Sequence, residues 1–301
     1  MAEPKDGWLE RDGIDLHYLE WAPQQEPISP PVLLLHGLSS NAHFWGRLAN
    51  RLSDRRVVAL DQRGHGLTGR PPHAPAMPDG FAMDELVADV TFLAQRLGLV
   101  QPVLVGHSWG ATVSLELAAR QRDFATALVF IDGPIQSASS LFSWDESQKF
   151  MQPPLPRYSS IKQATDDSRQ DFGPAWADDL EPFVFARLVQ DGDDFVLTLS
   201  SEARLALLHG LYDSPVEQLW AALELPTFVL LARDASARVA RWKERGAAEL
   251  KKIAPQLDIR WYDTPHDIPL FAPDAMAAVI ETAAAGPPAS ERAGSEATAG
   301  Q

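Results

Sequence analysis

The run Gly106-His107-Ser108-Trp109-Gly110 follows the apolar residues Pro102-Val103-Leu104-Val105 and precedes a helix-like stretch, residues 111–118. A strand that turns through Gly-x-Ser-x-Gly into a helix has the form of a nucleophile elbow. The glycines let two backbones pass closely while the turn strains the serine. The helix that starts there aims free N–H groups at the same spot and favours negative charge beside Ser108. Attack of a serine hydroxyl on an acyl carbon is the chemistry this arrangement suits. In a glycine-rich loop of no catalytic use, the serine would merely cap the helix.

A serine hydroxyl needs a base within hydrogen-bond reach and a third group to orient that base. His266 is the expected base, in Tyr262-Asp263-Thr264-Pro265-His266-Asp267-Ile268-Pro269-Leu270, on a turn between a strand-like run and a C-terminal helix. Asp234 is the first choice of acid. It follows the apolar run Thr227-Phe228-Val229-Leu230-Leu231 and gives the order Ser, Asp, His. Asp132, at the end of Leu128-Val129-Phe130-Ile131, is the alternative acid, with Asp263 and Asp267 behind it. Backbone N–H groups are expected to bind the oxyanion. Trp109, next to the nucleophile, is one donor, and Leu38, in the turn His36-Gly37-Leu38-Ser39, is the second.

These residues need a scaffold. A chain of 301 residues with 45% hydrophobic content can bury one large core. Val32-Leu33-Leu34-Leu35, Val57-Val58-Ala59-Leu60, Val103-Leu104-Val105, Ala127-Leu128-Val129-Phe130-Ile131 and the run from Thr227 read as strands covered on both faces. Residues 8–19 alternate around Asp12-Gly13 as an edge hairpin would. Leu86, Val90, Leu93 and Leu97 have helical spacing, with Gly98 as the stop. Strands alternating with helices imply an α/β fold with a mostly parallel sheet. The alternation lapses between Pro134 and Ala222, a stretch too long for a plain loop. The expected organisation is a core of residues 1–133 and 223–285, a lid of residues 134–222, and a disordered tail of residues 286–301.

The formal charge is −15, and residues 134–222 alone carry six basic and fourteen acidic side chains. That balance disfavours nucleic acid, an anionic membrane or a polyanionic substrate as partner. With no cysteine, disulfides, thiolate metal sites and a cysteine nucleophile are excluded. No basic and then apolar leader opens the sequence and no apolar run approaches membrane-spanning length, so a cytoplasmic location is expected.

His36-Gly37, Asp61-Gln62-Arg63-Gly64-His65-Gly66, the Ser108 elbow and His266-Asp267-Ile268-Pro269-Leu270 together resemble the α/β-hydrolase superfamily, of the serine type with a helical cap after the sixth strand. The resemblance spans most of residues 7–285. It implies an eight-stranded sheet, a Ser-His-acid triad and neither cofactor nor metal, with Arg63 and His65 in structural roles. At the acid position Leu231-Ala232-Arg233-Asp234 lacks the glycine that relatives often carry, which keeps Asp132 open. Haloalkane dehalogenases and epoxide hydrolases of this superfamily place aspartate where this chain has Ser108.

The expected function is hydrolysis of carboxylic esters or lactones of hydrophobic substrates through an acyl-enzyme. Phe44, Trp45, Phe142 and Trp144, with Phe150 and Trp176, are candidates for an aromatic pocket wall. The same triad also supports carbon–carbon bond hydrolysis, cofactor-free haloperoxidase chemistry and proline aminopeptidase action. A non-hydrolysing ligand receptor is the alternative outside catalysis.

Overall fold

A computed structural model describes residues 3–68, 78–152, 154–233 and 237–286, without the side chains of Pro78, Asp79 and Phe150. The tail reading therefore falls, beyond Gly286, outside the described residues.

Strands β1 (Lys5–Arg11) and β2 (Ile14–Trp21) pair antiparallel, with Arg11 opposite Ile14. The two residues between them, Asp12 and Gly13, have φ of 53° and 79°. That left-handed pair matches the right-handed twist of a hairpin. The apolar runs become β3 (Val32–Leu35), β4 (Val57–Leu60), β5 (Val103–His107) and β6 (Ala127–Ile131), each buried along its whole length. Three short strands follow: β7 (Arg157–Tyr158), β8 (Leu188–Asp191) and β9 (Asp194–Leu197). Then come β10 (Thr227–Ala232) and β11 (Asp258–Tyr262).

Among the described residues the main sheet has eight strands in the order β1-β2-β4-β3-β5-β6-β10-β11, and its six strands β4, β3, β5, β6, β10 and β11 run parallel. Side chains alternate between its faces, so each face feeds a separate apolar cluster. Leu33, Leu35, Leu104, Leu128 and Phe130 join the helices Met83–Leu97 and Trp109–Arg120 on one side. Leu34, Val103, Val105, Val129 and Ile131 meet the helix Pro273–Ala285 on the other. The helix Met83–Leu97 stops at Gly98, whose φ of 64° ends it in a left-handed cap.

Among the described residues between β6 and β10 lie five α-helices: Trp144–Met151, Ile161–Phe172, Glu181–Ala186, Ser201–Asp213 and Val216–Ala221. A three-stranded antiparallel sheet, β7-β9-β8, is threaded among them and adds a β element to a segment the sequence led us to expect as helical. This inserted segment is clamped to the loop after β3. Arg47 grips both carboxylate oxygens of Asp179 at 2.7 Å, and the Asn41 amide donates to Phe183 O at 2.8 Å. Among the described residues no helix is long and apolar enough to cross a membrane.

Candidate active site

Ser108 sits between β5 and the helix Trp109–Arg120 with φ 54° and ψ −120°, a conformation that β-carbon-bearing residues rarely adopt. The strain is held by close packing. Ser108 N–H donates to Ile131 O at 2.8 Å. A β-carbon on Gly110 would lie 2.3 Å from Leu35 O and 2.4 Å from His36 O, and one on Gly106 would lie 2.5 Å from Ala111 Cα. Each glycine of the motif thus answers to a specific backbone approach.

The chain end of β6 supplies the partner of His266. His266 Nδ1 donates to Asp132 Oδ2 at 2.5 Å, and Asp132 Oδ1 accepts Ala232 N–H at 2.9 Å. Asp132 also has a positive φ, 52°, so the two strands that end at Ser108 and Asp132 both turn through strained residues at the same sheet edge. Asp234, the first choice from sequence, lies outside the described residues. Of the weaker candidates, Asp263 is exposed and pairs with Arg233, while Asp267 Oδ1 lies 3.8 Å from His107 Nε2.

One partner has no counterpart in the sequence reading. Lys243, on the helix Ala237–Ile253, donates to Asp132 Oδ2 at 2.7 Å and to Ala232 O at 3.1 Å, with its side chain almost fully buried. The signal was present: Lys243 shares a helix stripe with Gly246, Ala247 and Leu250, all buried. A lysine in such a stripe needs an anion beneath it.

These neighbours set the charges. Burial pushes the Asp132 carboxyl up, but the bond from His266 and the charges of His266 and Lys243 outweigh it and leave the carboxyl below its usual range. For His266, desolvation and the Lys243 charge pull the imidazole down, while the Asp132 bond and charge carry it above its ordinary value. The His266 side chain is still 47% exposed, as a proton carrier facing a substrate should be. His107, whose ring lies 4.7 Å from that of His266, is buried and its pKa is pushed down to about 3. It stays neutral, and its Nε2 meets His266 O at 3.1 Å.

The loop after β3 runs beside the elbow. A β-carbon on Gly37 would lie 3.0 Å from His107 Nδ1 and 3.2 Å from Ser108 Cβ, so a larger residue here would press on the elbow. His36 fastens the loop. Its Nδ1 donates to Gly37 O at 2.8 Å, its Nε2 accepts Gln62 N–H at 3.0 Å, and the Gln62 amide donates to His36 O at 2.6 Å. Leu38, next in the loop, packs partly buried against the core, and Trp109 is buried at the helix start. Below, Asp61 accepts Ala42 N–H at 2.6 Å, Leu67 N–H at 2.8 Å and His17 Nδ1–H at 2.7 Å. Arg63 holds both oxygens of Asp89 at 2.8 Å, and His65 stacks on Trp109. Arg63 is held entirely in structural bonds, while His65 is fixed by its ring contact and by Nδ1–H donating to Arg63 O at 3.1 Å.

The aromatic candidates separate. Trp45 is fully buried and Phe44 only 3% exposed, its ring stacked on His107 at 4.9 Å. These two pack behind the elbow, where the short 3-10 turn Ala42–Trp45 turns its apolar side inward and sets Phe44 against Phe183 of the inserted segment. Phe142 is half-buried in the inserted segment, as are Trp176, beneath Arg169, and Trp144, which packs on His209 and Tyr212.

Within hydrogen-bond distance Ser108 Oγ and His266 are not yet joined. Such bonds are commonly long until substrate is in place. The site brings together a strained, half-buried serine, a half-exposed imidazole on a buried carboxylate, and the two backbone segments that carry Leu38 and Trp109.

Comparison with known proteins agrees with this architecture. The model of the alpha/beta hydrolase fold family matches residues 30–253. Lipase LipV of Mycobacterium tuberculosis is 28% identical over 286 residues, 89% of this chain and 97% of that protein. Epoxide hydrolase 3 of Xenopus tropicalis is 34% identical over 131 residues, 43% of this chain, and the match spans only about a third of that protein's own length. The crystal structure of E-2-(acetamidomethylene)succinate hydrolase superposes with a TM-score of 0.74 at 22% identity, covering 93% of this chain and 98% of that one. The chain belongs to the α/β-hydrolase family.

Proposed function

We propose that this chain is a serine hydrolase that cleaves carboxylic esters or lactones, with Ser108, His266 and Asp132 as its triad. The observation that carries the reading is the Asp132–His266 bond beside a serine strained to φ 54°. In the first half-reaction Ser108 Oγ bonds to the acyl carbon while its proton passes to His266 Nε2. The carbonyl electrons move onto oxygen, where Leu38 and Trp109 N–H groups receive the charge. When the intermediate collapses, the acyl–oxygen bond to the leaving alcohol breaks and His266 returns the proton to that alcohol. In the second half-reaction water loses a proton to His266 as it attacks the acyl carbon. Cleavage of the Ser108 ester releases the acid, and the proton returns to Ser108 Oγ. Asp132 stays ionised, fixing the imidazole with its Nδ1 proton inward.

Asp132 takes the acid role because the described geometry joins it to His266. A serine at the elbow speaks against epoxide opening, which in this superfamily runs through an aspartyl ester, despite the partial likeness to an epoxide hydrolase. An amide reading has its own support. N-formylmaleamate deformylase of Pseudomonas putida is 26% identical over 87% of this chain and 90% of that protein. The test is turnover of 4-nitrophenyl esters, lactones and N-formyl amides by the chain and by Ser108→Ala. Turnover abolished in the variant supports the reading, and unchanged turnover refutes it.

A further inference from the structure

Two cations of the inserted segment stand apart. Among the described residues, Arg187 and Arg204 are the arginines that are at least half-buried yet have no carboxylate within 4 Å, while the other shielded arginines are paired. Arg204, on the helix Ser201–Asp213, spends its guanidinium on neutral acceptors: Nε and Nη2 donate to Met151 O, and Nη1 donates to Ser39 Oγ. Arg187 donates from Nη2 to Ser168 Oγ at 2.6 Å and lies over the Phe183 ring, and its Nε is buried with no acceptor. Tyr158 and Asp171 are the charged or titratable neighbours it feels, and desolvation pulls both guanidinium groups down from their ordinary values. Holding an uncompensated cation out of water costs free energy unless an anion meets it.

The two arginines meet at one place, Arg187 in its wall and Arg204 one hydrogen bond behind it. Arg187 lines a narrow gap with Ser39, Ser40, His65 and Leu199, and Arg204 reaches the same gap through Ser39. Ser39 and Ser40 directly follow Leu38, the donor assigned to the oxyanion, and His65 stacks on Trp109, the other. Two more polar atoms in this gap are buried without partners, Ser40 Oγ and His65 Nε2. His65 adds no positive charge, since its Nδ1–H already meets Arg63 O and its pKa is pushed down to about 3. The gap therefore offers guanidinium and hydroxyl donors to an anion, whereas His65 Nε2 is itself an acceptor and takes no part in holding one, and the inserted segment beside it has more acidic than basic residues.

We propose that this gap is a subsite for a carboxylate carried by the substrate, held by Arg187 and Arg204 while the scissile carbonyl lies over Ser108. The proposal rests on the serine hydrolase reading and names its substrate class: esters or amides of an acid that bears a second, free carboxylate. Arginine is suited to the task because its planar fork matches a carboxylate in two bonds. The gap is narrow. Substrate enters by exchanging its carboxylate for the Ser39 hydroxyl and the Met151 carbonyl on Arg204.

The test compares kcat/KM for two esters of equal chain length, 4-nitrophenyl pentanoate and the 4-nitrophenyl monoester of glutarate. The wild-type chain is expected to prefer the charged ester at least tenfold. Arg187→Gln and Arg204→Gln should each lower that ratio at least tenfold, and Arg204→Lys should keep part of it. A wild-type ratio near one, or a ratio unmoved by either substitution, overturns the proposal. Should neither ester be hydrolysed, the ester reading fails by itself. The subsite is then judged by calorimetric titration of Ser108→Ala with glutarate. Saturable binding weakened by Arg204→Gln supports the subsite, and absence of binding refutes it.

Discussion

Lys243 and His266 compete for one carboxylate oxygen, and removing the lysine should retune the base. Both nitrogens lie within 2.7 Å of Asp132 Oδ2, so they are no more than about 5 Å apart. Two unit charges at about 5 Å repel by about 3 kcal/mol at an effective dielectric of about 20. His266 is 47% exposed, so solvent roughly halves this, to about 1.5 kcal/mol or about one pH unit. In Lys243→Met the imidazolium loses that repulsion and its pKa rises further. The base must be neutral to accept a proton from Ser108, so the acidic limb of kcat/KM moves to higher pH by about one unit. The assay is hydrolysis of 4-nitrophenyl butyrate from pH 5 to 9, with near-ultraviolet circular dichroism to establish that the core is intact. A limb that stays in place, or moves to lower pH in a folded variant, would refute the electrostatic role given to Lys243.

Four further outcomes follow from the geometry. Asp132→Asn leaves the shape but removes the anion that fixes and stabilises the imidazolium, and kcat should fall by about 10³–10⁴; a loss under tenfold would point to another acid, Asp234 first. Gly37→Ala puts a β-carbon 3.0 Å from His107 Nδ1 and 3.2 Å from Ser108 Cβ, which shifts the oxyanion loop. Its kcat should drop by about 10² with little change in KM, read from steady-state kinetics. Gly110→Ala meets Leu35 O at 2.3 Å, and backbone cannot yield there, so the variant should fail to give a cooperative thermal transition. Asp61→Ala strands Ala42 N–H, Leu67 N–H and His17 in the core and should cost about 3–5 kcal/mol in urea unfolding.

How much of this could be read from the sequence depended on how strongly each residue's neighbours are local. The apolar runs from Val32, Val57, Val103, Ala127 and Thr227 became strands because a parallel strand buried on both faces must be apolar at every position. The elbow was legible because Gly106 is demanded by the turn's own backbone at Ala111, and Gly110 by the end of β3 that passes against the turn. The acid was not. β6 and β10 are neighbours in the sheet, so Asp132 and Asp234 both follow strands that end at the same edge, and chain order alone ranked them. The positive φ that turns Asp132 toward His266 leaves no mark in its residue type. β7, β8 and β9 went unseen because they are two to four residues long and mostly unburied, so no continuous apolar run or long alternation marks them, although Asp191-Gly192-Asp193 marks the hairpin between the last two. Lys243 and Arg204 were hidden as ordinary surface charges. Each lies in an apolar helix stripe, Arg204 with Leu207 and Leu208, and that misplacement is the clue to a buried anion or to a missing one.

The account stands on an acyl group passing through Ser108. Acid quench during turnover of 4-nitrophenyl acetate, followed by peptide mass analysis, reads this directly. The account predicts one acetyl group on the peptide at Ser108, lost in Ser108→Ala and accumulating in His266→Ala after slow acylation. Steady turnover with no acyl group on Ser108, or with the group on another residue, would contradict it.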